Sequence, residues 1–372
     1  MEERIYDYWV ATLQDGYMGN IIDTVKRAGG ARALYEMSGS ELTGKLGLSK
    51  RLADHITDNR TDIHIIERDY YGMEAKGISY VNHTDVDFPD KLKNIAGPPY
   101  GLFVKGRLPD ALTPSVAIVG ARECSEYGRL MAEYFGDRLA REGVQIISGM
   151  AWGIDGLAQT AALNAGGRSY AVMGCGVDIT YPAKNRILYQ RLCGEENGIV
   201  SEYAPGTQAV SRHFPPRNRI ISGLCDVLIV VEARAKSGTL ITVDMAIDQG
   251  RTVMVVPGRL TDSLSAGCLN LLYQGALPAT GIEAVLDQLG VNRQMKISDY
   301  SVPKASGRDK DIPAELNGVL AVMTIEPQSV ERIADAAGIT PESAMIILTK
   351  LEIEDLIREA APGYYVKQLE FA

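Results

Sequence analysis

No run of about 18 apolar residues occurs anywhere in the sequence, so no segment reads as a membrane-spanning helix. The opening stretch, MEERIYDYWVATLQDGYMGN, lacks the basic start, apolar core and small-residue cleavage site of a signal peptide. A cytoplasmic location is the expectation. Cysteine is sparse: Cys124, Cys175, Cys193, Cys225 and Cys268 form no CxxC pair, and His55, His64, His83 and His213 are scattered. That spacing argues against a zinc site or a disulfide framework and leaves buried free thiols. Neither a metal nor a cofactor is expected. Positive charge is also short, with 38 Lys and Arg against 47 Asp and Glu and a net charge of −9. A protein that coats nucleic acid over its whole surface is thereby excluded, and any polyanion site must be a local concentration of cations.

Nucleotide fingerprints are missing too. The stretch VEARAKSGTLIT (231–242) has the composition of a phosphate loop, but GxxxxGK[ST] needs its lysine after the second glycine, and here Lys236 precedes SGT. VGARECSEYG has no GxG, and GCGVDIT supplies Gly174 and Gly176 without a third glycine.

What the chain does contain is a clear change of pattern along its length. Residues 1–75 are rich in helix formers with short polar breaks and predict a small helical domain. Within it, LGLSKRLADHI (46–56) reads as a turn feeding a helix, half of a helix-hairpin-helix. Asp54, Asp58 and Asp62 surround that turn, so packing or oligomerisation is its expected role. Within residues 76–290, the runs VAIVG, VQIISG, SYAVMG, GIVSEY, VLIVVEA and TVMVVPG alternate with helical segments. Continuous apolar strands separated by helices predict a doubly wound α/β domain with a mostly parallel, Rossmann-like sheet. Four of the runs close on glycine, at Gly120, Gly149, Gly174 and Gly258, which marks the carboxyl ends of the strands as the place for a ligand.

Residues 291–311 lose apolar periodicity and predict a linker. Residues 312–372 predict three helices and a Pro-Gly turn between short extended pieces, a winged-helix-like domain, with Ser329 and Thr340 as N-caps and Gly338 closing the second helix. Its third helix carries Glu342, Glu352, Glu354 and Asp355 against Lys350, so phosphate repulsion points to a protein-contact or structural role.

The local cations are found in the central region. Residues 204–225, APGTQAVSRHFPPRNRIISGLC, contain no acid and concentrate Arg212, Arg217 and Arg219 with His213, Phe214 and Asn218. Arginine forks suit phosphates, and an adjacent aromatic can stack on a base. Just downstream, Ser237, Gly238 and Thr239 are predicted to open a helix that closes at Gly250, presenting amides and a positive dipole end beside Lys236. Arg122 in VGAR, with Lys184 and Arg186 in TYPAKNR, can feed the same crevice. Asp155, Asp178, Glu202 and Glu232 also sit near strand ends, as caps or partners for the arginines. No nucleophile with a base at suitable spacing is found, so no catalytic residue is expected.

Taken together, VAIVGAR, SGMAWGID, GCGVDITYPAKN, SEY, FPPRNRIISGL, VVEARAKSGTLIT, QGR and VPG, in this order over about 115–275, resemble the DNA processing protein A (DprA/Smf) family. FPDKLKNIAGPPYGLFVKG (88–106) resembles that family's lead-in segment. The resemblance implies an extended Rossmann-like domain that binds single-stranded DNA without sequence preference, forms a homodimer and hands the strand to a RecA-type recombinase in natural transformation. By motif, it assigns DNA contact to Arg122, Lys184, Arg217, Asn218, Arg219, Lys236, Ser237, Gly238 and Thr239. The chain departs from the family at Gln159, where an Ala-His pair usually follows GID. The rival readings are a nucleotide hydrolase or a nucleotide sensor on a related sheet. Hydrolases carrying PGGxGTxxE need a carboxylate where this chain has Thr242.

Overall fold

The computed structural model describes residues 2–14, 20–291 and 314–368. The predicted linker at 291–311 lies outside them, save for Val291.

The chain opens with helices α1 (Glu2–Thr12), α2 (Ile21–Ala28), α3 (Ala31–Glu36), α4 (Gly39–Gly44), α5 (Lys50–Asp58) and α6 (Ile63–Glu74). Local chemistry sets their starts. Ser38 and Glu41 close a capping box on α4, and Ser49 and Asp62 accept backbone N–H bonds as the N-caps of α5 and α6. These helices do not stand apart from the sheet. Tyr8 of α1 meets Tyr80 and Phe103 edge-on at 6.1 and 5.9 Å, and one continuous core runs from Trp9 and Leu34 to Met173 and Ile199. Arg4 adds an ion pair to Asp85 at 3.0 Å.

The lead-in forms β1 (Ile78–Asn82), α7 (Asp90–Lys93) and β2 (Gly101–Gly106). Then follow β3 (Ser115–Val119), α8 (Glu126–Arg141), β4 (Gln145–Ser148), α9 (Ile154–Asn164), β5 (Ser169–Met173), α10 (Arg186–Leu192), β6 (Gly198–Ser201), α11 (Phe214–Leu224), β7 (Val227–Val230), α12 (Gly238–Asp248), β8 (Thr252–Val255), α13 (Ala266–Tyr273), β9 (Leu277–Pro278) and α14 (Ile282–Gln288). The sheet runs β1-β2-β6-β5-β4-β3-β7-β8-β9. It is parallel from β6 to β9, and β2 pairs antiparallel with both β1 and β6.

Alternation along the strands explains why helices cover both faces. Val116 and Ile118 of β3 pack with α8, α9 and α14, while Ala117 and Val119 pack with α11, α12 and α13. All six predicted runs are strands. The direction of strand order reverses between the neighbours β3 and β7, the switch point at which a doubly wound sheet opens a crevice.

The carboxyl-terminal unit comprises α15 (Ala314–Val322), β10 (Gln328–Ser329), α16 (Val330–Ala337), α17 (Pro341–Ile353), β11 (Ile357–Ala361) and β12 (Tyr364–Lys367), with sheet order β10-β12-β11. Three helices and a small antiparallel sheet make the winged-helix arrangement. Ser329 and Thr340 cap α16 and α17, and Gly338 ends α16 in the left-handed conformation at φ 69°. This unit meets the central one through the ion pairs Arg358–Glu126 and Arg259–Glu326. Among the described residues, no helix is long and apolar enough to cross a membrane.

Candidate nucleic-acid interface

At the switch point, the chain leaves β3 through Gly120, Ala121 and Arg122, and leaves β7 through the loop that ends at Ser237. Between these loops lies an open cleft of 470 Å³. Gly120 permits their approach, since a Cβ there would sit 2.8 Å from Ile154 Cγ1 and 3.0 Å from the Glu232 carbonyl oxygen. Arg122, Arg217, Asn218, Ser237, Gly238 and Thr239 all line the cleft, together with Asp155, Tyr181, Ser211 and Phe214.

One wall is the first turn of α12. Ser237 Oγ accepts from the Thr239 N–H at 3.2 Å, and Thr239 Oγ1 donates to the Gly120 carbonyl at 3.3 Å. The two side chains thus fasten the helix start to the end of β3. Ser237, Gly238 and Thr239 line the cleft, so the positive end of the α12 dipole lies at its wall.

The facing wall is the first turn of α11, where Pro215 and Pro216 follow Phe214. Prolines suit this position because the first-turn N–H groups have no helical partner to lose. The Phe214 ring is the hub: Tyr181 stacks on it at 5.4 Å and 30°, with the Arg122 and Arg217 guanidinium carbons at 5.9 and 5.6 Å from its centroid. Arg122 is exposed, whereas Arg217 is buried on the floor, where it donates to the carbonyls of Gly149 and Val172 and, through Nε, to Asn218 Oδ1 at 3.1 Å.

Asp155 lies beside Arg217. Its Oδ2 accepts from the Gly149 N–H at 3.1 Å, and a Cβ on Gly149 would meet both Arg217 Nη2 and Asp155 Oδ2 within 2.9 Å. Burial pushes the Asp155 carboxyl above its ordinary value, opposed by the neighbouring Arg217 charge. Burial likewise lowers the Arg217 guanidinium, to about 10, so it remains cationic at neutral pH. Cations set against aromatic faces, with a helix N-terminus on the opposite wall, suit a polyanion that also carries flat rings.

Lys236 and Lys184 are exposed beside the cleft rather than in its lining. Lys236 immediately precedes Ser237, and Lys184 places Nζ 5.0 Å from the centroid of the Trp152 ring. Arg219 departs from the sequence expectation. It does not line the cleft, because Nη2 is held by Glu202 and Nε donates to the Gly97 carbonyl at 2.8 Å. Residues two apart on a helix differ by about 200° in direction, so Arg217 facing the cleft turns Arg219 away from it.

Of the four carboxylates near strand ends, Asp155 alone is among the lining residues. Glu232 is buried and accepts from the Ser125 N–H at 3.0 Å, and Asp178 accepts from the Gly206 N–H at 2.8 Å. The sequence reading named Phe214 without counting it as a site residue, and passed over Tyr181 and Trp152. A tryptophan between small residues in a strand-to-helix loop was the available signal for Trp152.

Gln159 is fully buried and well used. Its Oε1 accepts from the Met150 N–H at 3.1 Å, and its Nε2 donates to Tyr170 O at 3.0 Å and Ser169 Oγ at 3.2 Å. The amide thereby ties the loop after β4 to β5.

The profile of the family described as DNA recombination-mediator protein A matches residues 79–290. The DNA processing protein DprA of Streptococcus pneumoniae is 45% identical over 199 residues, which cover 54% of this chain and 70% of that protein. Protein Smf of Escherichia coli is 35% identical over 282 residues, 75% of each. Among solved structures, S. pneumoniae DprA aligns with a TM-score of 0.65 at 32% identity, covering 77% of this chain and 97% of that one. DprA of Helicobacter pylori, solved for its single-stranded DNA binding mode, aligns with a TM-score of 0.51 at 28% identity over 57% of this chain and 96% of that one. With its family profile spanning the whole switch-point sheet, the chain belongs to the DNA recombination-mediator protein A family, DprA/Smf.

Proposed function

We propose that this chain is a mediator that binds single-stranded DNA in the switch-point cleft without reading its sequence. In this reading it acts as a homodimer, passes the strand to a RecA-type recombinase and performs no chemistry on it. The observation that carries the reading is the composition of the cleft wall. Arg122, Arg217 and the first turn of α12 converge on one space, and its one lining carboxylate, Asp155, is already matched by Arg217. The single-stranded DNA binding named for the H. pylori relative supports the same ligand. A hydrolytic role lacks an available base, since Thr242 stands where a catalytic glutamate is needed and Glu232 is buried as a partner of Ser125.

The test is a titration of labelled oligo-dT over a salt series, with free nucleotides as competitors. Three exposed cations, Arg122, Lys184 and Lys236, give an expected log–log slope of about −2, at about −0.7 per phosphate for single strands, since the Arg217 charge is already matched by Asp155. Deletion of residues 312–372 is expected to change this affinity little. An affinity that ignores salt, or one that favours free nucleotides over the strand, overturns the reading. Release of base from nucleoside monophosphates would revive the enzyme.

A further inference from the structure

Beside the main cleft, and sharing Arg122 with it, lies a second hollow of 280 Å³ whose lining includes Trp152, Gly156, Thr160 and Asn185. Trp152 is 47% exposed. A lone exposed aromatic is ordinary on a protein surface, and what sets Trp152 apart is the packed loop that presents it beside Arg122 and Lys184.

This loop is held at both ends. Met150 has φ 51° and Gly153 φ 87°, so the backbone bends sharply on each side of the tryptophan. Gln159 receives the Met150 N–H, while Asn185 Nδ2 donates to the carbonyls of Met150 at 2.9 Å and Ala151 at 3.2 Å. A Cβ on Gly153 would lie 2.3 Å from the Arg122 carbonyl oxygen, so the Trp152 loop rests directly against the segment that carries Arg122. The ring is therefore presented by packed backbone at a fixed offset from a cation of the main cleft. Lys184 Nζ stands over it at 5.0 Å, and exposed Arg186 follows on the next helix. Glu123 also lines the hollow and is the one acid among its lining residues, which include Arg122 and Arg129.

We propose that Trp152 is a base-stacking subsite, taking a nucleobase of the same strand whose phosphates Arg122 and Lys184 hold. The inference rests on the single-strand reading of the main cleft. Stacking is tolerant of base identity because every base has a π-face, which fits a binder that does not read sequence. Lys184 has a second use in such a complex: it can leave the ring for a phosphate as the base arrives, exchanging a cation–π contact for a charge-assisted hydrogen bond.

The chain itself supplies the probe, because its other tryptophan, Trp9, is 1% exposed in the helical core. With excitation selective for tryptophan, a change in emission on adding the strand should therefore report Trp152, because Trp9 is out of the strand's reach. Oligo-dT is expected to quench the emission, and an abasic strand of equal length, bound at low salt, should not. Trp152→Ala is expected to weaken oligo-dT binding by about five- to a hundredfold, leave abasic binding unchanged and keep the parental salt slope, with Trp152→Phe recovering most of the loss. If oligo-dT binds without quenching, Trp152→Ala binds as the parent does and Arg122→Ala still weakens, then the stacking subsite is wrong and the strand reading stands. If the parent protein itself fails to bind oligo-dT, the strand reading is wrong. The quenching measurement on the unaltered protein decides the question even if Trp152→Ala does not fold.

Discussion

Arg219 Nη2 lies 2.7 and 2.9 Å from the two carboxylate oxygens of Glu202, in a pair whose side chains are 16% and 6% exposed. With Nε on the Gly97 carbonyl, this one guanidinium ties α11 to the end of β6 and to the lead-in segment. Removing Arg219 would leave a buried carboxylate uncompensated, which costs about 3–5 kcal/mol in such pairs. Arg219→Ala should therefore lower the denaturant midpoint markedly while the remaining folded protein binds oligo-dT with parental affinity. The double variant Arg219→Met, Glu202→Leu should recover much of the stability. A large loss of affinity in Arg219→Ala at full stability would return the residue to the strand-binding set.

Arg122 and Lys236 carry the opposite expectation. Both are exposed at the cleft and neither has a carboxylate partner among the ion pairs described. Arg122→Ala should leave thermal stability near parental and remove about 1.5–3 kcal/mol of binding, the range for hydrogen bonds to charged groups. Each of Arg122→Ala and Lys236→Ala should make the salt slope shallower by about 0.7. An unchanged slope in both would mean that neither side chain reaches a phosphate.

The contrast between these arginines shows what the sequence could and could not tell. The sheet was legible because parallel strands buried on both faces must be apolar throughout, and VLIVV or VAIV leaves little alternative. The helix opening at the SGT triplet was legible from its small polar residues, and the structure singles out Ser237 as the N-cap. Arg219 was misdirected because RNR reads as one basic cluster until it is placed on a helix, where Arg217 and Arg219 part company. The boundary near residue 75 was drawn from composition, which cannot see that Tyr8 packs on Tyr80 and Phe103 in a shared core. The contributions of Trp152 and Tyr181 were missed for a related reason. The two come from separate loops, and only the fold brings Tyr181 onto Phe214 and Trp152 into the hollow that Arg122 lines.

The junction of α1 with the lead-in should make stability depend on pH. Tyr100 Oη donates to the half-buried Asp7 carboxylate, and Tyr80 Oη donates to the Asp7 backbone carbonyl at 3.2 Å. Burial raises the Asp7 carboxyl above its ordinary value, reinforced by Glu3 and opposed by the Tyr100 hydrogen bond, His83 and Arg4. In the window between the unfolded and folded values, the folded state binds more protons, so stability falls as pH rises through that window. Asp7→Asn, which can still accept from Tyr100, should raise the Tm at neutral pH. The gain should shrink as the pH is lowered below the ordinary carboxylate range. A gain independent of pH would show that the Asp7 charge is not its cause.

Gln159 offers the sharpest test of how this chain differs from the family pattern. The amide accepts from the Met150 N–H and donates to Tyr170 O, with no exposure to water. Gln159→Leu deprives two buried backbone groups of partners at about 1–3 kcal/mol each, so a clear loss of stability is expected. That loss should be accompanied by weaker oligo-dT binding, because Met150 anchors the loop that carries Trp152. Gln159→His behaves differently, since a neutral imidazole has one donor and one acceptor and can serve both partners. Protonation removes the acceptor and returns the Met150 N–H to an unpaired state. Burial and the lost acceptor together hold the folded imidazole below its unfolded value near 6.5, so stability is present above that pH and lost as the pH falls through it. Denaturant midpoints of Gln159→His should therefore match the parent at mildly alkaline pH and drop away in mild acid, where the amide of the parent does not titrate. Parallel pH profiles for the two proteins would show that residue 159 does not brace the Met150 turn.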